Sequence, residues 1–243
     1  MKFITLNDPL PYRSCVATIG FFDGVHRGHR YLIQQLTQYA ALQGEASLLI
    51  TFRIHPRQVM QSAYQPQMLS TYKEKCDRLV DTGADFCLTL DFTQEMATLS
   101  AQRFMAEILK EKLAVNVLLI GYDHRFGHDR SVGFFDYVKY GRELGIEVIQ
   151  ADALSMSEVN VSSSMVRACL AEGEVELAAR CLSRPYELSG RVVHGFHVGH
   201  EIGFPTANLQ VDDAQKLIPK NGVYAVWAKG VVAGKRCIWM GML

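Results

Sequence analysis

The chain has 243 residues, of which 49% are hydrophobic and 21% charged, and its 25 basic side chains balance 25 acidic ones. This composition suits a globular protein with one large core or two modest ones, and the zero net charge excludes a broad nucleic-acid footprint. No apolar run approaches the roughly 18 residues of a membrane span, and the N-terminus has no signal-peptide core. We therefore expect a cytoplasmic protein that binds small molecules, with no nucleic-acid or membrane partner; formation of a homo-oligomer stays open.

The six cysteines form no Cys-x-x-Cys pair and lie mostly in apolar stretches, at positions 15, 76, 87, 169, 181 and 237. This is typical of reduced core thiols, so we expect neither disulfides nor zinc. His194, His197 and His200 are spaced by threes, but Gly195 and Gly199 would interrupt any helix that aligned them. A transition-metal site there is therefore disfavoured.

Strand and helix signals alternate through the first part of the chain. We predict strands over 15–19, 46–52, 85–90, 115–120 and 146–149. We predict helices over 27–43, 72–82, 101–113 and 134–144, the third with Ser100 as N-cap but without a reciprocal capping box. The alternation indicates an α/β fold with a doubly wound, largely parallel sheet, in which ligands bind beyond the carboxyl ends of strands. The loops after Ile19, Phe52 and Ile120 leave strands at that end.

The pattern changes after Ala151. Two helices are predicted, one opening at residues 162–164 and one over 174–182, and we place a domain boundary after residue 183, giving domains over 1–183 and 184–243. Beyond it, strand signals over 186–193, 223–228 and 236–240 are separated by glycine turns, which indicates a small all-β unit. Because three or four strands cannot close a barrel, we expect the sequence to hold only part of this unit.

Residues 230–236 approach a phosphate-binding P-loop pattern, with Gly230, Gly234 and Lys235. The segment is one residue short of that pattern and lacks the hydroxyl that would bind Mg²⁺. A P-loop kinase is therefore excluded, and the segment predicts a hairpin turn.

The most informative segment is a glycine-rich turn over residues 18–29, Thr-Ile-Gly-Phe-Phe-Asp-Gly-Val-His-Arg-Gly-His. Its glycines allow a tight turn, and the unpaired N–H groups of the helix start that follows attract phosphate oxygens. His26 and His29 share one helical face at i and i+3, so both imidazoles can donate to one triphosphate. For Asp23 we favour ordering of the turn, through bonds to backbone N–H groups, over a catalytic role.

Four further segments carry motifs, and they follow the turn in a fixed order. They are Thr-Phe-Arg-Ile-His-Pro over 51–56, Leu-Ile-Gly-Tyr-Asp-His-Arg-Phe-Gly over 119–127, Val-Ser-Ser-Ser-Met-Val-Arg over 161–167 and Gly-Phe-Pro-Thr-Ala-Asn-Leu over 203–209. Together with the turn they resemble the bacterial FAD synthetase family, the bifunctional riboflavin kinase/FMN adenylyltransferases. The resemblance implies a Rossmann-like nucleotidyltransferase domain followed by part of a riboflavin kinase barrel.

The resemblance also implies an enzyme of FAD biosynthesis. It would transfer AMP from ATP to FMN and release pyrophosphate, and in the complete protein a second domain would phosphorylate riboflavin, with Mg²⁺ as cofactor. The implied catalytic residues are His26, His29 and Arg167. The implied ATP contacts are Gly20, Phe21, Phe22, Asp23, Gly24, His26, His29, Ser163, Ser164 and Arg167. The implied flavin contacts are Phe52, His55, Asp123 and Phe126, and the implied Mg²⁺ ligands of the kinase domain are Thr206 and Asn208.

Several alternatives stay open. Phe52, His55 and Phe126 either stack on a flavin or pack beneath a loop, and Asp123 binds either a metal ion or a ribose hydroxyl. The chain departs from the family pattern in that Ile54 replaces proline, Ser164 replaces threonine and His200 replaces arginine. These changes keep the groups needed for adenylyl transfer, whereas we do not expect kinase activity from this chain.

Two rival functions are weighed against this one. The first is another small-molecule nucleotidyltransferase with the same two-histidine chemistry, such as a cytidylyl or pantetheine adenylyl enzyme; the kinase signature around Thr206 and Asn208 argues against it. The second is a non-catalytic flavin or nucleotide sensor, and the joint retention of His26, His29, Ser163 and Arg167 argues against that.

Overall fold

The computed structural model describes residues 1–60, 65–121, 126, 132–156, 159–195, 203 and 206–243. Its main feature is a six-stranded sheet in which the neighbouring strands run parallel. The strands are β1 (Lys2–Ile4), β2 (Cys15–Ile19), β3 (Ala46–Phe52), β4 (Phe86–Leu90), β5 (Val115–Ile120) and β6 (Glu147–Gln150). They lie in the order β1-β4-β3-β2-β5-β6, so the predicted parallel sheet is confirmed.

The helices that link these strands cover both faces of the sheet. They are α1 (Arg27–Gln43), α2 (Pro56–Val59), α3 (Tyr72–Val80), α4 (Gln94–Thr98), α5 (Ala101–Arg103), which continues as a π-helix over Phe104–Lys112, and α6 (Phe134–Leu144). Leu36 of α1 packs in one buried cluster with Leu49 of β3, whereas Leu109 of the π-helix packs in another with Leu48. Adjacent strand residues thus face opposite helix layers, which is the doubly wound arrangement that the sequence predicts.

The predicted bounds of β2, α1, β3, β5 and α6 are those observed. The helix predicted over 101–113 differs, because only its first three residues are α-helical and the rest forms a π-helix. The buried side chains of the π-helix are Phe104, Met105, Ile108 and Leu109, and their spacing of four residues does not distinguish a π-helix from an α-helix. The predicted cap is present, since the Ser100 hydroxyl accepts from the Arg103 N–H at 3.2 Å.

The chain order reverses at β2, in the middle of the sheet. From β2 the chain runs to β3 and β4 on one side before it returns to β5 and β6 on the other. In open parallel sheets such a reversal leaves a crevice at the carboxyl ends of the two strands concerned. The loops after Ile19, Phe52 and Ile120 all leave the sheet at this edge, as predicted.

Beyond the main sheet, the strands β7 (Ser155–Met156) and β8 (Val159–Asn160) lead to the helices α7 (Ser163–Glu172) and α8 (Val175–Leu182). Two antiparallel pairs follow, β9 (Gly190–Val193) with β10 (Asn208–Val211), and β11 (Ala225–Val232) with β12 (Lys235–Met242). They agree with the predicted all-β unit. The predicted hairpin turn is confirmed, since Ala233 and Gly234 join β11 to β12 with φ angles of 49° and 77°.

A third apolar cluster lies across the predicted domain boundary. It joins Leu69, Val166 of α7, Leu182 of α8 and Leu217, and Tyr186 packs against it. Tyr186 and Leu217 therefore bury apolar surface against the first part of the chain. The division after residue 183 stays a prediction.

All six cysteines lie within the described residues and are free thiols. Burial raises the pKa of the Cys15 and Cys87 thiols to about 12, which keeps both protonated and unreactive at neutral pH. In the part of the chain that the structure describes, no helix has both the length and the apolar character needed to cross a bilayer.

Candidate active site

The turn between β2 and α1 is compact and its backbone is strained. Phe22 and Val25 hold φ angles of 56° and 41°, which side-chain-bearing residues rarely adopt, on either side of Gly24 at 74°. The Gly20 N–H donates to the Ile50 carbonyl at 3.0 Å, which ties the start of the turn to β3. Strain of this kind persists only where the surroundings hold it, and it is common at ligand sites.

His26 and His29 meet at the start of α1. The Nδ1 atom of His26 accepts from the His29 backbone N–H at 3.3 Å, so in the neutral His26 ring the proton lies on Nε2. The two rings stack with centroids 3.6 Å apart, which is the shared face that the spacing predicts. Burial, and then the charges of Arg167 and Arg184, lowers the pKa of His26 to about 4. His26 is therefore a neutral hydrogen-bond donor at pH 7.

Asp23 holds three segments together with one buried carboxylate. It is 3% exposed and accepts from the backbone N–H groups of Leu69 and Ser70, each at 3.0 Å, and from the Ser70 hydroxyl at 3.1 Å. Arg167 pairs with it through Nη2 at 2.5 Å. Asp23 does bond to backbone N–H groups, as favoured above, but those groups lie 46 and 47 residues away rather than in its own turn.

The start of α7 lies beside the start of α1. Gly28 is so close to Val161 that an added Cβ would lie 2.8 Å from the Val161 carbonyl oxygen. The Ser163 hydroxyl donates to the Asp23 backbone carbonyl at 3.1 Å, whereas Ser164 is exposed. Two helix N-termini, whose first N–H groups have no acceptor in the preceding turn of their own helix, are thus brought to the same place.

Arg167 is fixed in α7 by contacts on two sides. Besides the pair with Asp23, its Nε donates to the Gln67 carbonyl at 2.7 Å, and 15% of its side chain is exposed. Its Nη1 group makes no hydrogen bond to the described residues. The guanidinium is therefore held in one plane with a donor still available to a ligand.

A second set of residues lines a cavity of about 180 Å³ beside the turn. His55 is the N-cap of α2, and its ring meets that of Phe21 edge-on at 4.6 Å. The ammonium of Lys75 donates to the carbonyls of Phe21 at 3.1 Å and Phe52 at 2.6 Å, and it lies 3.9 Å from the centre of the Phe21 ring. Lys75 thereby joins the loops that follow β2 and β3.

Phe52 and Phe126 pack against core aromatic residues. Phe52 is 7% exposed and meets Phe92 edge-on at 5.6 Å. Phe126 stacks on Tyr137 at 4.3 Å, and the Tyr137 hydroxyl bonds to both its N–H and its carbonyl. Of the two alternatives for these rings, the contacts favour packing beneath the loops. Asp123 lies outside the described residues, and flavin contact by all of these residues stays a prediction.

Asn208 is the first residue of β10 and Thr206 lies just before that strand, so neither belongs to the main sheet. Both are exposed, and Asn208 pairs with Val193 of β9. An added Cβ on Gly195 would lie 2.2 Å from the Asn208 amide nitrogen, so a larger residue at 195 would require that side chain to move. Their role as Mg²⁺ ligands stays a prediction. In the histidine triplet considered as a metal cluster, positions 197 and 200 lie outside the described residues.

Sequence reasoning missed Ser70, Lys75 and Lys216. Lys75 lies three residues after Tyr72 and four before Leu79, on the inner face of α3, and this spacing was a usable signal. Burial lowers the pKa of Lys75 to about 8. Ser70 and Lys216 carry no such local signal, because their importance comes from distant contacts.

Comparison with known families gives two matches along the chain. The family model described as FAD synthetase matches residues 9–165, and the one described as riboflavin kinase matches residues 182–240. The first match covers strands β2 to β6 of the main sheet, and the second covers β9, β10, β11 and most of β12.

Curated relatives agree with these matches. The bifunctional riboflavin kinase/FMN adenylyltransferase of Escherichia coli K12 is 37% identical over 91% of this chain and 70% of that protein. The protein of the same name from Pseudomonas fluorescens is 38% identical over 88% of this chain and 68% of its own length. Among solved structures, a protein from Streptococcus pneumoniae described as a macrolide-efflux protein has a TM-score of 0.81 at 26% identity, covering 100% of this chain and 84% of that chain. The description as a macrolide-efflux protein belongs to the Streptococcus protein and is not transferred to this chain.

Proposed function

Since this chain belongs to the family of bifunctional riboflavin kinase/FMN adenylyltransferases, we propose that it transfers AMP from ATP to FMN and carries a second region for phosphorylation of riboflavin. In adenylyl transfer a phosphate oxygen of FMN attacks the α-phosphorus of ATP. The bond from that phosphorus to the bridging oxygen breaks, and pyrophosphate leaves. All the reacting groups are anionic, so the protein must hold them in line and offset their repulsion.

The observation that carries the proposal is the stacked pair of His26 and His29 at the start of α1. The Nε2–H of His26 is a donor whose direction is set by the cap bond at Nδ1. His29 lies on the same face, one turn further along. We assign both rings to the leaving phosphates of ATP, where donors fixed in advance stabilise charge that develops as pyrophosphate departs.

We assign the start of α7 to the same nucleotide. The Ser163 hydroxyl already donates to the Asp23 carbonyl, so Ser163 contributes through its backbone N–H. Ser164 is exposed, and its hydroxyl can donate to a phosphate oxygen. Arg167 adds a fixed cation through Nη1, since Asp23 and the Gln67 carbonyl hold its other nitrogen atoms.

Mg²⁺ is the metal we propose, and its chemistry is to screen phosphate charge and help pyrophosphate leave. Thr206 and Asn208 present an exposed hydroxyl and an exposed amide oxygen, which are hard donors that fit a magnesium ion in the kinase region. Asp23 does not fit the same role in the adenylyl site, because Ser70 and Arg167 take up its oxygens together with the Leu69 N–H. We place both activities in the cytoplasm, on diffusible substrates.

The test is to incubate the chain with ATP and Mg²⁺ together with FMN, and to separate the products by chromatography. We expect FAD and pyrophosphate to appear in equal amounts. Parallel reactions replace ATP by CTP, or FMN by phosphopantetheine, so that a different nucleotidyltransferase would reveal itself. Riboflavin as the acceptor tests the second activity separately.

Two results would contradict the proposed adenylyl transfer from ATP to FMN. ATP that binds in calorimetry while no FAD forms from FMN would overturn the proposal and favour a nucleotide sensor. Efficient use of CTP or of phosphopantetheine in place of the proposed substrates would favour the other nucleotidyltransferases.

A further inference from the structure

Leu69 is held from two sides by residues that lie far apart in the sequence. Its backbone N–H donates to the Asp23 carboxylate at 3.0 Å. Its carbonyl accepts from the ammonium of Lys216 at 2.8 Å. One residue therefore connects the turn after β2 with a lysine in the region that the riboflavin kinase model matches.

The backbone around Lys216 binds the same segment. The Met68 N–H donates to the Gln215 carbonyl at 2.7 Å, and the Leu217 N–H donates to the Met68 carbonyl at 2.8 Å. These bonds form a parallel bridge between Met68 and Lys216. Residues 215–217 thus run parallel to residues 68–70 over a short distance, with Lys216 at the centre of the paired segment.

The ammonium of Lys216 is buried and fully engaged. Lys216 is 3% exposed, pairs with Glu74 at 2.6 Å and lies 4.7 Å from the centre of the Tyr186 ring. Glu74 is itself held, because its other oxygen accepts from the Ser189 hydroxyl at 2.8 Å. A buried ion pair with this many partners has one geometry, and removal of one member leaves the other uncompensated.

On the basis of the proposed adenylyl transfer, we propose that Lys216 is a positioning residue for ATP, which acts through residues 68–70 on Asp23. Without its ammonium, the Leu69 carbonyl and Glu74 lose a buried partner, so the segment has to shift. Asp23 then loses the alignment of its N–H donors from Leu69 and Ser70. The turn after β2 and Arg167 both depend on that carboxylate, so the ATP contacts loosen although Lys216 touches no substrate.

The first test compares Lys216→Met with Lys220→Met. Lys220 lies in the same stretch, but its side chain is 56% exposed and pairs only loosely with Glu172 at 3.5 Å. We expect KM for ATP to rise by about threefold to thirtyfold in Lys216→Met, the range seen for residues that act through a network, and to stay unchanged in Lys220→Met. A purely structural role would lower the amount of active enzyme and leave KM for ATP as it was.

The second test is a double-mutant cycle with Ser70→Ala, which removes the hydroxyl that donates to Asp23. If Lys216 acts through residues 68–70, the effects of Lys216→Met and Ser70→Ala on KM for ATP are not additive. Additive effects would show that the two residues act separately and would overturn the proposal.

The third test needs no catalysis, so it separates this inference from the proposed function. Amide hydrogen exchange is compared between the two lysine variants of the full chain. We expect faster exchange in Lys216→Met at residues 68–70 and 22–26, with β3 and β5 unchanged. The coupling would be overturned if exchange became faster at all residues alike, or if the exchange rate at residues 22–26 did not change. Absence of FAD from the wild-type chain would overturn the proposed function alone.

Discussion

Asp23 and Arg167 form a buried ion pair at 2.5 Å, although they lie 144 residues apart in the sequence. The pair joins the turn after β2 to helix α7, and so fixes one helix N-terminus relative to another. The side chains are 3% and 15% exposed, so water replaces little of the lost interaction when one member is removed. The two helix starts assigned to ATP therefore depend on a contact that lies beneath them.

We expect Asp23→Asn to lower the free energy of unfolding by about 3–5 kcal/mol, because Arg167 is then buried without its counter-charge. Urea denaturation measures the change. The matched control is Asp91→Asn, which breaks the surface pair with Arg53, whose side chains are 73% and 52% exposed. That pair is expected to contribute about 1 kcal/mol or less. Similar losses in both variants would contradict a structural role for the Asp23 pair.

The stability of the protein should depend on His26 between pH 6.5 and 4. Its pKa falls from 6.5 to about 4 in the fold, so the unfolded chain takes up the proton first. The contribution of neutral His26 is complete above pH 6.5 and declines as the pH falls to about 4, by up to about 3 kcal/mol. His26→Asn keeps an N-cap acceptor without a titrating ring, so its unfolding free energy should vary less over this window.

Denaturation at several pH values measures this difference. A pH profile of His26→Asn that runs parallel to the wild type would refute a buried neutral His26.

His29→Ala should lower kcat for FAD formation by about tenfold or more, the loss expected for one donor to developing charge. Gln34→Ala, at an exposed position of the same helix, is the control. The measurement is the initial rate of FAD formation from FMN and ATP. Circular dichroism shows whether the variant is folded. An unchanged rate in a folded His29→Ala protein would remove His29 from the site.

Lys75 should affect stability at alkaline pH. Burial lowers its pKa from 10.5 to about 8, so the unfolded chain holds the proton to higher pH than the folded one does. The stability of the wild type relative to Lys75→Met should therefore grow as the pH rises from about 8 to 10.5, by up to about 3 kcal/mol. Lys73→Met, on the exposed face of the same helix, should show no such growth. If the difference in unfolding free energy between the wild type and Lys75→Met did not change between pH 8 and 10.5, the lowered pKa of Lys75 would be contradicted.

Asn208→Ala should leave FAD formation from FMN unchanged, because Asn208 lies on the β9–β10 pair and not among the residues assigned to ATP. The FAD formed from FMN is followed by chromatography. The contrast with Lys216→Met is informative, since both residues belong to the region that the riboflavin kinase model matches. Parallel loss of FAD formation in Asn208→Ala would mean that the site residues are misassigned.

Local patterns in the sequence predicted most of the main sheet. Its strands are short apolar runs between turn residues, and α1 has a regular apolar face that ends at Gly44. β1 was missed because three residues, Lys2–Ile4, are too few to show alternation. The π-helix was missed because its apolar spacing resembles that of an α-helix over so short a length.

The site was predictable only where its residues are neighbours in the sequence. His26 and His29 fall in one motif, and their stacking follows from helical spacing. Lys75 and Lys216 are buried cations, against the general rule that lysine is exposed. Their partners, such as the Leu69 carbonyl, are reached only through tertiary structure, which one sequence does not reveal.

The central position of β2 has a consequence for how this protein folds. β2 pairs with β3 directly after one helix, but its other neighbour is β5, so Cys15 has to pair with the distant Val115. Contacts between residues so distant in the chain form slowly, because a long loop has to close first. The turn after β2 is continuous in the sequence, yet its crevice has a second wall only when β2 is paired with β5. The crevice is thus completed by a long-range pairing and not by the local segment alone.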